Sequence, residues 1–423
     1  MQWCMPADGM ACRQASGLAS CSLAGHRDVH QEQQQRGSPA SVPRSVVPAD
    51  YFAGLTGLRG IAAGWVVAFH LWLASGSPRL AFGPIDVTAL FSTGYLGVDL
   101  FFVLSGFLLG LPFMRWALGE RPFPGLGRFW KRRALRVLPA FYAQLFVLMV
   151  LALVGVGTFP PWQHILAYLS MEFVYFGIPL WNGVWWTLPA EWNFYLVLPL
   201  LGFALGRARW SLIMALLVVS AITVRILCWH LLYDGVWEWF LAYPLILQTP
   251  ARIDEFALGV VAAGLHLRRG RCAASWRERA MLFLGLGGVA LLMGGLDGRG
   301  DIFVRADAPL IFVYATLAGM ALALVVLATA SSLPLACRLF GGRVLAFLGT
   351  VSYSLYLWHN PLIGWLDTLW PGLPSGMAGL GLRALVVIPA SLIVAWVSYR
   401  LVERPFLITA PAAALARGQT ARG

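Results

Sequence analysis

Long apolar runs separated by short polar ones occupy the chain from about residue 50 onward. Runs near the 17–25 residues needed to cross a bilayer fall at 52–75, 92–113, 137–157, 184–205, 210–232, 250–267, 279–296, 308–329, 343–366 and 382–403. This pattern predicts an all-α, polytopic integral membrane bundle of about ten transmembrane helices. The stretch 159–180 is also apolar and aromatic, but Pro160, Pro161 and Pro179 interrupt it, so it is expected as an interfacial or re-entrant element. Residues 1–48 are rich in Gln, Ser, Ala and Pro, include QEQQQRGSP at 31–39 and contain no run long enough to span. They lack the basic, apolar and small-residue order of a cleaved signal peptide. They read as a disordered cytoplasmic tail, or as an upstream start that the natural protein does not use. The expected organisation is a tail at 1–48, a membrane domain at 49–408 and a short cytoplasmic tail at 409–423.

Composition removes the soluble alternatives. Of 423 residues, 59% are hydrophobic and only 12% charged, about half the charged share of a soluble domain. The net charge of +12 is not a nucleic-acid signature, because the arginines lie between hydrophobic runs and form no recognisable binding motif. Their distribution sets orientation instead. With the N-terminus inside, the cytoplasmic connections hold sixteen basic residues and the opposite loops four (Arg79, Arg299, Arg305 and Arg383). The expectation is N-in and C-in, in the inner membrane of the cell. Six cysteines show no CxxC pair and no histidine at metal spacing, so neither a disulfide frame nor a metal site is expected.

Ionisable groups inside apolar runs are costly, about 2.5–3.5 kcal/mol at the centre of a span, and are functional candidates by default. The first run carries Arg59 and His70. Eleven residues make about three helical turns plus 20°, so both project from one face, roughly 16 Å apart along the axis. The plain alternative is that Arg59 snorkels to lipid phosphate and His70 is a packing residue. The second run, GYLGVDLFFVLSGFLLG, holds Asp99 between Gly97 and Gly106, glycines that permit close helix approach. An Asp near the outer end of a span can also simply face water. A basic stretch, RFWKRRALRVLP at 128–139, is expected to end at Pro139, which opens the third span. Its arginines serve as an inside anchor, and Arg132, Arg133 and Arg136 also suit the phosphates of a cytosolic acyl donor. Glu191 follows Pro189 in an aromatic setting, Asp254 and Glu255 stand at a span entrance, and SYSLYLWHNP places Tyr353 and His359 in the ninth run. Glu403 beside Arg404 reads as a structural ion pair at a helix exit.

In order along the chain, Arg59-x10-His70, GVDLFFVLSGFLL, RRALRVLP, WTLPAEWNFY, RIDEF, SYSLYLWHNP and ERPF resemble acyltransferase family 3. Members are polytopic membrane acyltransferases that modify exported carbohydrates and some small molecules. The resemblance covers about 50–406, and seven motifs in register make it specific. It implies an acyl group, acetyl being the expected one, drawn from cytoplasmic acyl-CoA as co-substrate. The acceptor implied is a hydroxyl of a cell-surface or exported glycan, such as a polysaccharide, a lipopolysaccharide or a lipid-linked sugar. Arg59 and His70 are then the pair tied most closely to activity, Glu191 takes the position of a family carboxylate, and Asp99 joins them as a catalytic candidate. Arg132, Arg133, Arg136, Tyr353 and His359 are the substrate-binding candidates. Many members read Ser-Leu-x-Val-Glu where this chain has Thr187-Leu188-Pro189-Ala190-Glu191, a departure that bears on how Glu191 is aimed. Some members carry a C-terminal extracytoplasmic hydrolase-like domain, which this chain is expected to lack.

The chemistry fits these parts. O-acylation needs a base for a hydroxyl, and histidine is the usual choice. A histidine can instead attack the thioester and carry the acyl group as an acyl-imidazole. Either route calls for a cation at the donor phosphates or the developing oxyanion, and for no metal or bound redox cofactor. A transporter or flippase using Arg59, His70, Asp99, Glu191 and His359 as a polar path is the competing expectation. Against it, the sequence shows no inverted repeat.

Overall fold

The computed structural model describes residues 52–232, 246–269, 276–297, 310–331 and 333–407. The tails expected at 1–48 and 409–423 lie outside the described residues, as do Arg299 and Arg305. Fifteen elements are used below: α1 Ala53–Ala74, β1 Ala81–Phe82, β2 Ile85–Asp86, α2 Thr88–Ser92, α3 Leu96–Ala117, α4 Leu126–Leu153, α5 Trp162–Ser170, α6 Thr187–Arg207, α7 Trp210–Leu232, α8 Thr249–Arg269, α9 Trp276–Leu296, α10 Leu310–Ala330, α11 Pro334–Phe340, α12 Arg343–Leu369 and α13 Gly376–Ser398. A 3₁₀ turn, Gly183–Trp186, leads into α6, and a π-turn, Tyr399–Glu403, extends α13.

The ten long helices occupy the ten places that the hydropathy pattern marks. Among the described residues, eight helical stretches are long and apolar enough to cross a membrane by themselves, and a ninth is reached if α11 and α12, bent by 66°, count as one span. The protein is a polytopic helical bundle. Helix α8 falls short on apolarity because Arg252, Asp254 and Glu255 lie in its first half. Its direction shows that it nevertheless traverses the bundle. Contacts between α3 and α8 climb together, from Asp99 against Arg252 to Gly106 against Phe256 and Gly110 against Val260, so the two helices are parallel. Asp297, at the end of α9, accepts from Ser92 just before α3, so α9 returns to the level where α3 and α8 begin, and α8 crosses the bundle before it.

Helix α4 departs from the expected boundary. The basic stretch is not a separate element ending at Pro139. One 28-residue helix runs through it with Pro139 inside. The proline removes one intrahelical N–H but not the helix, because one face beyond it packs into the bundle: Ala140, Phe141, Leu145 and Leu148, with the polar Gln144, are all buried.

In an apolar solvent, helices gain little by burying leucine against leucine, and small residues and polar contacts decide which faces meet. Helices α1 and α12 approach so closely that a Cβ on Gly349 would lie 1.9 Å from the Thr56 carbonyl oxygen. At the α3–α8 crossing, a Cβ on Gly106 would lie 2.0 Å from the Phe256 carbonyl oxygen. In both places the obstacle is backbone, so a methyl group forces the helices apart. Gly349→Ala is therefore expected to lower stability by about 1–3 kcal/mol and to separate the groups paired between α1 and α12. Thermal unfolding of the detergent-solubilised variant measures this, and an unshifted midpoint contradicts so tight a crossing.

Two buried arginines tie α3, α7, α8 and α10 together. Arg252 donates to Asp99 at 2.8 Å, to Glu255 at 2.6 Å and to the Tyr314 hydroxyl at 2.6 Å. Arg225 donates to Asp254 at 2.7 Å, to the carbonyls of Ala251 and Phe312, and to Thr316. On the outer surface, the small β1–β2 hairpin is closed by Arg79 and Asp86 at 2.8 Å. Hydrogen bonds from the Thr88 side chain and backbone, and then from Arg79, hold the Asp86 carboxyl down at about 2. That pairing is present above the ordinary carboxylate pKa and is lost only as pH falls towards 2.

The segment between α5 and α6 is irregular and buried only in part, with Tyr175, Phe176 and Gly177 exposed. Phe173, Val184 and Trp185 are buried, and Trp185 packs on Phe141 and Tyr168 with ring centroids 4.9 and 5.2 Å away. Irregular backbone in a membrane protein is tolerated where protein covers it, as around Phe173, Val184 and Trp185.

Candidate active site

The α1 and α12 contact carries the central groups of the site. These helices run in the same direction, with contacts rising from Gly60 against Leu345 and Gly349 to His70 against His359. Arg59 and His70 both point from α1 toward α12, as their spacing predicts: Arg59 Nη2 donates to Ser352 Oγ at 3.3 Å, and His70 Nδ1 lies 3.3 Å from His359 Nε2.

His359 is held in place by a consequence of Pro361. Proline has no N–H, so the carbonyl four residues earlier, on Leu357, loses its intrahelical donor. Two side-chain amides take its place, Gln144 Nε2 from α4 at 2.5 Å and Asn182 Nδ2 at 3.0 Å. The same region is pinned at three further points. Asn360 donates to Asn182 Oδ1, Trp185 donates to Gln144 Oε1, and the Tyr356 hydroxyl donates to the Val184 carbonyl while accepting from Thr187. His359 itself is fully buried.

Nearer the start of α1, at the level of Arg59 and Ser352, lies a cluster of guanidinium groups. Arg59 is within electrostatic reach of Arg136, Glu191, Glu403 and Tyr195, and Arg133 is within reach of Tyr195, Arg136, Glu191 and Arg132. Arg136 is paired with Glu403 and lies over the Tyr353 ring, 5.8 Å from its centroid. Ser354 donates to the other Glu403 oxygen at 2.5 Å. Glu191 Oε1 accepts from Tyr195 at 2.5 Å and from Ser105 at 3.0 Å. The Nε atoms of Arg59 and Arg133 are buried with no hydrogen-bond partner. Three guanidinium groups against two carboxylates leave a positive excess, and buried donors without acceptors are costly. The arrangement is suited to an anion with several oxygens, which arginine grips with its planar fork.

The sequence candidates thus divide. Arg59, Arg133, Arg136, Glu191 and Tyr353 share one electrostatic neighbourhood, and His70 and His359 sit higher on the same pair of helices. Arg132 is exposed at the surface of α4. Asp99 is bonded to Arg252, in the network that joins α3 to α8 and α10. Pro189 falls in the first turn of α6, where a missing N–H costs little, and the Glu191 carboxylate is aimed at Ser105 and Tyr195.

One expectation is corrected. Glu403 does not pair with its neighbour Arg404; its partner is Arg136 on α4. The π-turn at Tyr399–Glu403 is the reason, because the extra residue per turn rotates Glu403 inward, where it is 1% exposed. Sequence reasoning also missed Ser105, Gln144, Asn182, Tyr195 and Ser352. A signal existed for two of them, since Pro361 announces a carbonyl at Leu357 in need of donors, and Gln144 and Asn182 supply them.

Residues 52–400 match a family model described as an acyltransferase domain. Over 84% of its length the chain is 27% identical to the peptidoglycan O-acetyltransferase OatA of Listeria monocytogenes, covering 56% of that protein. It is 26% identical to the O-acetyltransferase OatA of Staphylococcus aureus over 84% of this chain and 57% of that one. The exopolysaccharide production protein ExoZ of Rhizobium meliloti is 28% identical, over 75% of this chain and 90% of its own. The chain therefore spans just over half the length of the two OatA relatives. No solved structure matches it. The extent of the family match, together with a motif-bearing core that folds as one bundle, places this chain in acyltransferase family 3.

Proposed function

We propose that the protein is an inner-membrane O-acyltransferase that moves an acyl group, acetyl first among them, from cytoplasmic acyl-CoA to a hydroxyl of a cell-envelope glycan. Both termini are cytoplasmic in this reading, which puts Arg133 and Arg136, near the start of α4, on the donor side. The observation that carries it is the cationic cluster, where buried Nε atoms of Arg59 and Arg133 have no partner. A pyrophosphate supplies the missing oxygens. The names of the relatives support a glycan acceptor, as two are O-acetyltransferases and a third serves exopolysaccharide production.

His70 acts as the base in this scheme. It takes the proton of the acceptor hydroxyl as the oxygen bonds to the thioester carbonyl carbon. The carbon–sulfur bond then breaks, and the departing thiolate of CoA takes the proton back from the imidazolium. Arg59, on the same face of α1, lies toward the donor phosphates. Acyl-CoA is a co-substrate here, and the scheme uses no resident cofactor.

Membranes carrying the protein, given labelled acetyl-CoA and a glycan acceptor, test this. The wild type is expected to label the glycan. Arg59→Lys keeps the charge but loses the planar fork, and Arg133→Gln loses both. Each is expected to lower kcat/KM for acetyl-CoA about ten- to a hundred-fold, the worth of one hydrogen bond to a charged group. Donor kinetics unchanged in both variants, or glycan movement across the membrane without acyl transfer, would refute the assignment.

A further inference from the structure

The hydrogen bonds around the two histidines determine where their protons are. His70 Nδ1 lies 2.9 Å from the Val66 carbonyl oxygen, and His359 Nδ1 lies 3.1 Å from the Leu355 carbonyl oxygen. A carbonyl oxygen only accepts, so each Nδ1 bears the hydrogen. A neutral imidazole carries one N–H, which leaves Nε2 as the lone-pair nitrogen on both rings. His359 Nε2 is 3.3 Å from His70 Nδ1. It therefore accepts from His70, whose Nδ1–H is shared between Val66 and His359.

From this geometry we infer that His359 is a positioning residue that fixes the tautomer of His70 and stabilises its protonated form; the inference rests on His70 being the base proposed above. The opposite tautomer of His70 sets the Nδ1 lone pair against two acceptors at once, the Val66 oxygen and His359 Nε2. That repulsion keeps Nε2 of His70 unprotonated and ready to take a proton. Once Nε2 is protonated, the Nδ1–H becomes a stronger donor, and both acceptors are already in place to receive it. No second proton transfer is needed, because His359 stays neutral throughout.

The fold is built to hold this acceptor. His359 is fully buried, rings of His70 and His359 meet with centroids 5.0 Å apart, and Tyr356 packs on His359 at 5.9 Å. The Leu357 carbonyl bonds two residues away stop α12 from rotating. In this inference His359 acts through its contact with His70, in place of the substrate-binding role that its motif suggests.

The test compares His359→Leu with His359→Gln, because the glutamine amide oxygen can occupy the place of Nε2 and accept from His70. In His359→Leu, kcat is expected to fall about 10- to 100-fold, with KM for acetyl-CoA unchanged. His359→Gln is expected to recover most of kcat. In a His70→Ala background, His359→Leu is expected to cause no further loss, since its effect passes through His70. A second readout does not depend on turnover. Solid-state ¹⁵N NMR of histidine-labelled protein, assigned with His70→Ala, is expected to show His70 protonated at Nδ1 alone, and as a tautomer mixture in His359→Leu. Wild-type kcat in His359→Leu, equal loss in the Gln and Leu variants, or an Nε2–H tautomer of His70 in the wild type overturns the inference. If the wild type transfers no acyl group yet His70 shows the Nδ1–H tautomer controlled by His359, the proposed function fails and the positioning role stands.

Discussion

His70→Ala is expected to lower acyl transfer by roughly 10²–10⁴-fold, the range for removal of a general base, and to leave donor binding intact. The separation follows from position. His70 meets α12 at His359, whereas the guanidinium groups of Arg59 and Arg133 lie toward Ser352 and Glu191. In the proposed scheme, loss of the imidazole removes the proton acceptor without touching the proposed anion site. Acetyl-CoA binding to purified protein, measured beside turnover, separates the two effects. The same variant decides between base and nucleophile. Wild-type protein incubated with labelled acetyl-CoA and no acceptor retains no hydroxylamine-sensitive label if His70 is a base, and retains it if an acyl-imidazole forms. Undiminished transfer by well-folded His70→Ala removes His70 from the mechanism.

Arg252→Met has the largest expected effect on stability. Its guanidinium is the cation for Asp99 and Glu255, which are 1% and 0% exposed. One oxygen of each, Asp99 Oδ2 and Glu255 Oε2, already lacks a hydrogen-bond partner. Removing one member of a buried ion pair costs about 3–5 kcal/mol, chiefly through the charge left behind. The variant is expected to accumulate poorly and to unfold at a much lower temperature in detergent. Combining it with Asp99→Asn and Glu255→Gln is expected to recover a large part of the loss, because the uncompensated charges go too. A melting temperature unchanged in Arg252→Met shows that the network does not hold α3, α8 and α10 together.

The long helices were legible because period and length are enough to mark an apolar helix, and each of the ten runs became one. The shared face of Arg59 and His70 was equally legible, since helical geometry carries eleven residues back to nearly the same angle. What the residues face was not. Asp99 is a lone carboxylate in its own run, and its partner Arg252 lies 153 positions away. Glu403 has an arginine beside it in sequence and another across the bundle, and only the local π-turn decides between them. The start of α4 was misplaced for a related reason. Pro139 is read locally as a helix start, yet the tertiary packing of Phe141 and Leu145 carries the helix through it.

The pairing of α1 with α12 also has a consequence for synthesis. His70 and His359 are 289 positions apart. At 5–20 residues per second, the first helix is made roughly 15–60 s before its partner leaves the ribosome. Throughout that interval the face bearing Arg59 and His70 has none of its final neighbours on α12. The earliest available cover is α3, whose Gly97 lies against the Ala62 backbone. The pairing of Arg59 and His70 with α12 is thus among the last contacts of the described bundle to form, and the proposed site is incomplete in a nascent chain until α12 has joined α1.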